Sequence, residues 1–488
     1  MPDRRFTCFN EEVLEAQARV CTGPHQTRPL GVKPSDPQPG PILELILKSS
    51  KGELSPDQEV SDAQMGAFFT GMTIRKRFTE KTRWSDAERE AFDRYSADLE
   101  RMPPEIRFLI EPDQVCKATN AQEQIVIASL EKILTGEHLS YDETRRTGKA
   151  ILNGQVRNAL KAAALIGQRM NRETYDELRG YLDATLGPEQ VLEVDVGSLT
   201  HLGEPFDGST RFFRPTLFVA AVRAALGEAS VLYGVDKMPP KNGVTEEQIL
   251  NALGGRTDLS LSEAKGLIED PDVGFAYVSQ RTYSPGAYAI RDLRVHIKKR
   301  PPWSATEKAQ QLFSAPGANY MIIGYYHPGY EAPLLQLMWD RGFKAGLGIK
   351  GEEGTSHYAL RAGKPSEDGR KAVNYSEGFR RIGDSRYNFS SDVDPREYGF
   401  LYDQSPRLDP VSAKAFAEAG LAALSGQKGQ VYDRIVLNAA LKDHLLGIYP
   451  DPREAIERCR KAMDSGRALR CLKAYLERTK RTAQIQKA

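Results

Sequence analysis

The chain has 488 residues, with 67 basic and 66 acidic side chains and a formal net charge of +1. A single hydrophobic core rarely grows beyond about 250 to 300 residues, so we expect more than one domain. The balanced charge excludes an overall field that would draw the protein to nucleic acid or to an anionic membrane, although it permits a local basic groove.

Neither a membrane span nor a secretory signal is evident. The apolar runs are shorter than the roughly 18 to 20 residues that cross a bilayer, and the first residues lack the apolar stretch of a secretory signal. We therefore expect a soluble, cytoplasmic protein with no membrane partner. The five cysteines are scattered and form no close pair typical of a zinc site or a redox motif, so reduced thiols are expected.

The first part of the chain predicts helices. Residues 22–42 are rich in Pro and Gly without apolar periodicity, which is typical of a linker or an extended arm. Beyond them, to about residue 190, segments such as 121–134 and 156–170 place apolar residues at helical spacing. We predict four regions, namely an N-terminal arm and linker (1–41), an additional helical region (42–126), a helical domain (127–190) and an α/β domain with C-terminal helices (191–488).

Two stretches in this region resemble each other. Residues 43–58 run parallel to residues 130–143, and each pattern predicts a helix, a turn and a second helix. Ser55 and Ser140 are predicted N-caps, and Glu143 would complete a capping box with Ser140. Duplication and convergence on the same helix-turn-helix pattern both explain the similarity.

The character of the sequence changes at residue 191. Short apolar runs at 229–235, 273–279, 320–326 and 344–351 alternate with amphipathic stretches. This alternation predicts an α/β fold in which a central, mostly parallel sheet is flanked by helices. Such sheets bind ligands at the carboxyl ends of their strands, so the loops after these runs are the candidate sites.

Two segments resemble the anthranilate phosphoribosyltransferase family. Residues 130–178 are similar to its opening helical domain, and residues 424–472 are similar to its closing helices. Residues 272–303 resemble the segment that leads to the family's substrate-binding arginine. The resemblance covers roughly residues 127–475 and implies a small helical domain followed by a larger α/β domain, whereas the first 126 residues are an addition.

The resemblance also implies a function. The family transfers phosphoribosyl from phosphoribosyl diphosphate to an aromatic acid with magnesium, in tryptophan biosynthesis, and usually dimerises through its helical domain. Arg294 matches the arginine that contacts the aromatic acid in the family, and Arg300 matches a second one nearby. We expect a phosphorylated small molecule, an aromatic or heterocyclic acceptor and a homodimer.

The family's diphosphate loop is rewritten in this chain. The family has a Gly-Thr-Gly-Gly-Asp loop whose backbone amides wrap the diphosphate, and here the stretch 203–208 contains Glu204, Pro205, Asp207 and Gly208 instead. A glutamate at this position repels a diphosphate. Asp207 and Gly208 fit either a ligand site or an ordinary turn.

Basic residues after this loop are further candidates for phosphate binding. Arg211 and Arg214 fall near the family's Asn-x-Ser-Thr motif and could grip a single phosphate. Lys237 and Lys241 lie where the family has a Lys-His-Gly-Asn-Arg motif, of which Gly234 survives. Their loop fits a ligand contact and a purely structural role about equally.

The family's magnesium-binding Asp-Glu pair matches Glu352 and Glu353. Two adjacent carboxylates after a strand suit Mg²⁺, which prefers one or two protein oxygens and several waters. His327 and His357 are candidate proton carriers.

A basic run extends from Arg294 through His296, Lys298 and Lys299 to Arg300. With Tyr283, Tyr288 and Trp303 near it in sequence, this run could bind an aromatic acid, a phosphate or a nucleic-acid backbone, although such runs more often form a solvated face. The alternative function is therefore a non-catalytic family member that binds nucleic acid or acts as a regulator.

Overall fold

The computed structural model describes residues 9–365 and 372–485, which form two compact units. Of the described residues, 9–185 and 289–303 belong to the helical unit, and 186–288, 304–365 and 372–485 belong to the α/β unit. Within the residues described, no helix is both long enough and apolar enough to cross a bilayer.

Between residues 9 and 185, the structure describes ten helices of the helical unit. They are α1 (Glu11–Val20), α2 (Pro39–Ser50), α3 (Asp62–Arg75), α4 (Asp86–Arg94), α5 (Ser96–Leu99), α6 (Pro104–Ile110), α7 (Ala121–Thr135), α8 (Tyr141–Leu152), α9 (Asn158–Asn171) and α10 (Tyr175–Thr185). The predicted helical character of this region is confirmed.

The caps explain where several helices begin. Ser140 and Glu143 form the predicted capping box at the start of α8. The prediction for Ser55 is wrong, because the next helix begins at Asp62 with Ser61 as its N-cap. Ser55 instead precedes a turn in which its carbonyl accepts a hydrogen bond from the Gln58 amide at 2.9 Å.

A segment from later in the chain completes the helical unit. Leu293, Ile297 and Trp303 belong to the same apolar core as α3, α7 and α9. Gln17 donates a hydrogen bond to the Ile297 carbonyl at 2.7 Å, and the Trp303 indole donates one to the Tyr181 carbonyl at 3.1 Å. The helical unit is therefore not continuous in sequence.

The α/β unit contains a seven-stranded sheet in the order β4-β3-β2-β6-β7-β8-β9 and a small parallel pair, β1-β5. The strands are β1 (Leu192–Glu193), β2 (Ser198–Gly203), β3 (Ala229–Gly234), β4 (Phe275–Ser279), β5 (Phe313–Ser314), β6 (Ala318–Gly324), β7 (Ala345–Lys350), β8 (Tyr375–Ile382) and β9 (Ser385–Asp392). Within the large sheet, the neighbouring strands β4, β3, β2, β6 and β7 pair in parallel. The β8-β9 hairpin adds two antiparallel strands beside β7. The predicted α/β class is confirmed, and all four apolar runs form strands.

Twelve further helices are described after residue 186. They are α11 (Thr216–Ala225), α12 (Glu246–Ala252), α13 (Leu261–Glu269), α14 (Gln280–Tyr283), α15 (Pro285–Ala289), α16 (Leu293–Ile297), α17 (Trp303–Thr306), α18 (Glu331–Asp340), α19 (Ala413–Leu424), α20 (Gln430–Leu446), α21 (Pro452–Asp464) and α22 (Arg467–Ile485), of which α16 lies in the helical unit. Short 3₁₀ helices lie at Pro188–Gln190, Glu307–Ala309, Glu352–Gly354 and Pro395–Tyr398.

Candidate functional site

The order of the strands predicts a ligand site at the carboxyl ends of β2, β6 and β7. Strand β2 pairs with β3 on one side and with β6 on the other, so the strand order changes direction between β2 and β6. Open α/β sheets bind ligands at such a switch point. Glu204 follows β2 directly, and Glu352 follows β7 after one glycine.

Glu204 lies at the centre of a buried hydrogen-bonded cluster. Its carboxylate accepts hydrogen bonds from the Thr216 hydroxyl at 2.9 Å and from the Ser356 amide at 3.1 Å, and it also contacts the Ser356 hydroxyl. His357 Nε2 lies 2.8 Å from the same carboxylate. Thr216 is the first residue of α11, so a side-chain carboxylate of the protein sits beside this helix start.

Two cations complete what we call the buried-charge cluster. Arg214 is 1% exposed, pairs with the Glu246 carboxylate and approaches Glu204 at 3.9 Å. Lys442 donates a hydrogen bond to the Ser356 hydroxyl at 3.3 Å. Arg214 therefore binds carboxylates of the protein in this arrangement, whereas a ligand phosphate would need it exposed.

Burial perturbs the titration of this cluster. It lowers the pKa of His357 to about 3, against the opposing effect of Glu204, so the imidazole is neutral at pH 7. It also lowers the pKa of Lys442 to about 8. Burial acts to raise the pKa of Glu204, but His357, Arg214 and Lys442 hold it well below its ordinary value.

Glu353 occupies a ring of backbone amides. Its carboxylate accepts hydrogen bonds from the Thr210 amide and hydroxyl, both at 2.9 Å, and from the amides of Arg211 and Phe212 at 3.3 Å. Lys241 Nζ lies 3.3 Å from the same carboxylate, and the Glu353 side chain is 2% exposed. We call residues 210–212 the amide loop.

Glu352 faces different partners. It pairs with Arg434 Nη1 at 2.8 Å and with Arg361 Nε at 3.2 Å, and its side chain is also buried. The two carboxylates are adjacent in sequence but have different partners. Glu352 contacts two arginines, whereas Glu353 contacts backbone amides, a hydroxyl and a lysine.

This arrangement does not fit the predicted magnesium site. The oxygens of Glu353 already accept hydrogen bonds from amides, a hydroxyl and a lysine, and those of Glu352 face two arginines. Mg²⁺ requires carboxylate oxygens that are open to it and to its waters. In the described part of the chain, no group of three or more His, Cys, Asp or Glu side chains is placed to hold a metal ion.

A pocket of about 610 Å³ opens beside the two glutamates. We call it the basic pocket, because its lining includes four cationic side chains, namely Arg211, Lys350, Arg361 and Arg407. Its two acidic lining residues, Glu352 and Glu353, are neutralised in part by Arg434 and Lys241, which lie outside the lining. The remaining charge favours an anionic ligand.

Three arginines at the basic pocket contact the Phe212 ring. The guanidinium of Arg407 lies 4.8 Å from the centre of the Phe212 ring, that of Arg211 lies 5.6 Å from it and that of Arg434 lies 6.0 Å from it. Cation–π attraction of this kind holds guanidinium groups near one another despite their like charge. Tyr326 and His327 also line the basic pocket.

The other predicted phosphate-binding residues come from the loops after β2 and β3. The Asp207 carbonyl accepts a hydrogen bond from the Gly243 amide at 2.8 Å. Gly208 has a φ of 74°, and a Cβ there would lie 2.4 Å from the Gly243 backbone, so the turn needs glycine. Lys237 is exposed, whereas Lys241 is held at Glu353.

The predicted basic run belongs to the helical unit. Arg294 and His296 are buried in α16, and His296 Nδ1 lies 2.9 Å from the Ser61 hydroxyl. Lys298 pairs with Glu15 at 3.0 Å, and Lys299 donates a hydrogen bond to the Thr22 hydroxyl at 2.9 Å. The expectation of a solvated face holds for Lys298 and Arg300, which are exposed, and is wrong for Arg294 and His296, which are buried.

The predicted candidates therefore separate into groups. Arg294, Arg300 and Trp303 lie in the helical unit, whereas Tyr283 and Tyr288 lie in the α/β unit. Within the α/β unit, the structure brings Arg211 and Lys241 to Glu353 and places His327 at the pocket. His357 lies buried at Glu204.

Sequence reasoning missed Arg361, Arg407 and Arg434. Arg361 and Arg407 come from loops and Arg434 comes from α20, and each is a single arginine without a local pattern that connects it to the pocket. Lys350 closes a predicted strand and could have been proposed from its place before Glu352.

Comparison with known proteins agrees with this architecture. Residues 128–186 match the model of the helical bundle domain of a glycosyl transferase family. The chain is 24% identical over 358 residues to the anthranilate phosphoribosyltransferase of Stenotrophomonas maltophilia, covering 72% of this chain and 97% of that protein. The enzyme of Aquifex aeolicus is also 24% identical, covering 72% of this chain and 98% of the enzyme.

Solved structures share the fold. The anthranilate phosphoribosyltransferase of Thermus thermophilus superposes with a TM-score of 0.57 at 20% identity, covering 72% of this chain and 99% of that one. The enzyme of Saccharomyces cerevisiae in complex with PRPP and Mg gives a TM-score of 0.58 at 16% identity, covering 73% of this chain and 98% of that one.

The chain has the fold of these solved structures, with a helical bundle and an α/β sheet, and residues 128–186 match the helical bundle domain of a glycosyl transferase family. Similarity along nearly the whole length of the relatives makes the class more specific. The chain is similar to anthranilate phosphoribosyltransferases over 97–98% of their length, and it is phosphoribosyltransferase-like in this sense.

Proposed function

We propose that the chain binds a phosphorylated small molecule in the basic pocket and transfers phosphoribosyl from phosphoribosyl diphosphate to an aromatic or heterocyclic acceptor. The observation that carries this proposal is the convergence of Arg211, Lys350, Arg361 and Arg407 on one pocket of about 610 Å³ at the carboxyl end of β7. Guanidinium groups bind phosphate oxygens through paired donors, and the pocket has room for a ligand with several phosphate oxygens.

The proposed reaction places modest demands on acid–base groups. The bond between the anomeric carbon and diphosphate breaks, a bond from that carbon to an acceptor nitrogen forms, and the nitrogen loses a proton to water or to a neighbouring base. Positive charge that binds diphosphate lowers the barrier to its departure. Arg361 and Arg407 are our candidates for this role, and Arg211 is our candidate for the edge of the pocket.

Magnesium is included in the assay, but no residue of the chain is proposed to hold it during the reaction. A similar yeast structure is described as a complex with PRPP and Mg, and our sequence prediction assigns the ion to Glu352 and Glu353. Because these carboxylates are held by cations and amides, we derive no step of the reaction from the metal.

The test is a direct one. The purified full chain is incubated with phosphoribosyl diphosphate and a panel of aromatic and heterocyclic amines, with and without magnesium, and pyrophosphate release is measured together with binding by calorimetry. Acceptor-dependent release supports the proposal. Absence of both binding and release with every acceptor would contradict it.

Further proposals concern location and assembly. We propose a cytoplasmic protein that forms a homodimer through its helical unit, and light scattering after gel filtration would test the dimer. The alternative of a non-catalytic regulator or nucleic-acid binder is not favoured, because the similar proteins are anthranilate phosphoribosyltransferases. Absence of binding to single-stranded DNA and RNA at low salt would remove its nucleic-acid form.

A further inference from the structure

Backbone amides that converge on one point make an anion-binding site, and the amide loop has this geometry. Its three amides, at Thr210, Arg211 and Phe212, all donate to the Glu353 carboxylate, with Lys241 adding a positive charge. Glu353, Arg211 and Phe212 are among the residues that line the basic pocket. Two of the three donors thus belong to residues of the pocket wall, and all three are covered by an anion of the chain itself.

We propose that Glu353 is a built-in anion that competes with the phosphate end of a ligand for the amide loop and Lys241. With Glu353 in place, a phosphate entering the basic pocket finds the arginines but not the amides. When Glu353 leaves, the amides and Lys241 become available to the ligand. This inference rests on the proposed function in one respect, since it concerns the same pocket.

The backbone around Glu353 favours such a displacement. Glu353 has a φ of 59°, a left-handed conformation that side chains with a Cβ rarely adopt, and Gly351 and Gly354 lie on either side of it. A conformation of this kind persists because surrounding contacts hold it. Loss of the amide contacts to a ligand phosphate would therefore release a strained residue.

The balance of charge explains why the competition matters. Burial acts to raise the pKa of Glu353, but Lys241 and the hydrogen bonds from Thr210 and Phe212 hold it below its ordinary value, so the side chain is anionic at pH 7. A phosphate approaching the amide loop meets this charge at contact distance. Removing the charge converts a repulsive position into an attractive one.

The experiment measures binding of inorganic pyrophosphate to the full chain by calorimetry, first without metal and then with magnesium. Glu353→Gln removes the charge with little change in shape, and Glu353→Ala removes the side chain. We expect each variant to bind pyrophosphate about tenfold or more tightly than the unmodified protein. Adding Lys241→Met to Glu353→Ala should remove much of that gain.

Glu263→Gln is the matched control. Glu263 also accepts hydrogen bonds from a backbone amide, a hydroxyl and an arginine, but it does so at the start of α13, outside the basic pocket. Its substitution should leave pyrophosphate binding unchanged. An equal gain in this control would overturn the proposal, because the effect would then follow net charge alone.

The proposal fails if Glu353→Gln and Glu353→Ala, both folded by circular dichroism, bind pyrophosphate no more tightly than the unmodified protein. Its failure is distinct from that of the proposed function. A gain in pyrophosphate affinity without any transfer from phosphoribosyl diphosphate supports the competing role of Glu353 and contradicts the transferase activity. Transfer activity with no gain in the variants gives the opposite result.

Discussion

His357 Nε2 lies 2.8 Å from the carboxylate of Glu204, and both side chains are sealed from solvent. This contact belongs to a cluster in which Glu204 is the anion near the neutral His357 and the cations Arg214 and Lys442. Removing the carboxylate from a buried ionic group takes a counter-charge away from its cationic partners, which is far more costly than losing an exposed pair.

Glu204→Ala should therefore lower the free energy of unfolding by about 3 to 5 kcal/mol. Urea unfolding followed by circular dichroism would measure the change. Glu418→Ala, at a residue that is 67% exposed and forms only a surface pair with Lys414, should change it by less than about 1 kcal/mol. Equal losses in the two variants would show that the Glu204 contacts contribute little.

Acid should destabilise the α/β unit through its buried histidines. Burial lowers the pKa of His201 to about 4, and the unfolded value is about 6.5, so the folded protein binds fewer protons than the unfolded chain between these values. Stability is therefore complete above pH 6.5 and falls as the pH drops toward 4. His357, with a pKa of about 3, adds to the same trend.

The slope should reach about 1.4 kcal/mol per pH unit for each such histidine. Urea midpoints at pH 7.0, 6.0 and 5.0 would measure it, and His201→Gln should flatten the profile in this window. Parallel profiles for the variant and the unmodified protein would contradict the role of His201.

The basic pocket predicts a loss of anion affinity when its arginines are removed. Arg407→Ala should weaken binding of pyrophosphate about tenfold, since one charge-assisted contact to phosphate contributes roughly 1.5 to 3 kcal/mol, and Arg407 is exposed, which places its contribution at the lower end. Calorimetry would measure the change. Arg458→Ala is the control, because Arg458 pairs with Glu454 on the surface of α21 and does not line the pocket. A loss in both would point to nonspecific attraction.

Two glycines of the helical unit form a contrasting pair. A Cβ on Gly66 would lie 2.2 Å from the carbonyl oxygen of Ala159, because α3 and α9 cross closely there, whereas a Cβ on Gly40 meets nothing within 4 Å. Gly66→Ala should lower the thermal midpoint, at a cost of about 1 to 3 kcal/mol from overpacking. Gly40→Ala, at the second residue of α2, should be neutral or slightly stabilising. Similar midpoints for the two variants would contradict this assignment.

The sequence patterns predicted the class of fold because that class depends on local periodicity. Each of the runs at 229–235, 273–279, 320–326 and 344–351 overlaps one strand, since a buried parallel strand needs a continuous apolar segment. The Ser140 cap was also predictable, because a capping box depends on residues three positions apart. The prediction for Ser55 failed because the following residues form a turn before α3 begins.

The site was less accessible to such reasoning. Position in sequence predicted that Glu352 and Glu353 follow a strand, but the partners of each carboxylate depend on tertiary packing. Arg434 in α20 and Lys241 in the loop after β3 reach them from distant parts of the chain. Glu204 was recognised as incompatible with a diphosphate, yet its buried partners, Ser356 and Lys442, lie more than 150 residues away, where no local pattern connects them.

The insertion of residues 289–303 into the helical unit constrains the order of events during synthesis. A ribosome that has released only the first 185 residues has made every long helix of that unit but not Leu293, Ile297 or Trp303, which occupy its apolar interior. The apolar interior of the nascent bundle stays incomplete until about a hundred further residues have been synthesised. A chaperone that shields apolar surface would act at this stage.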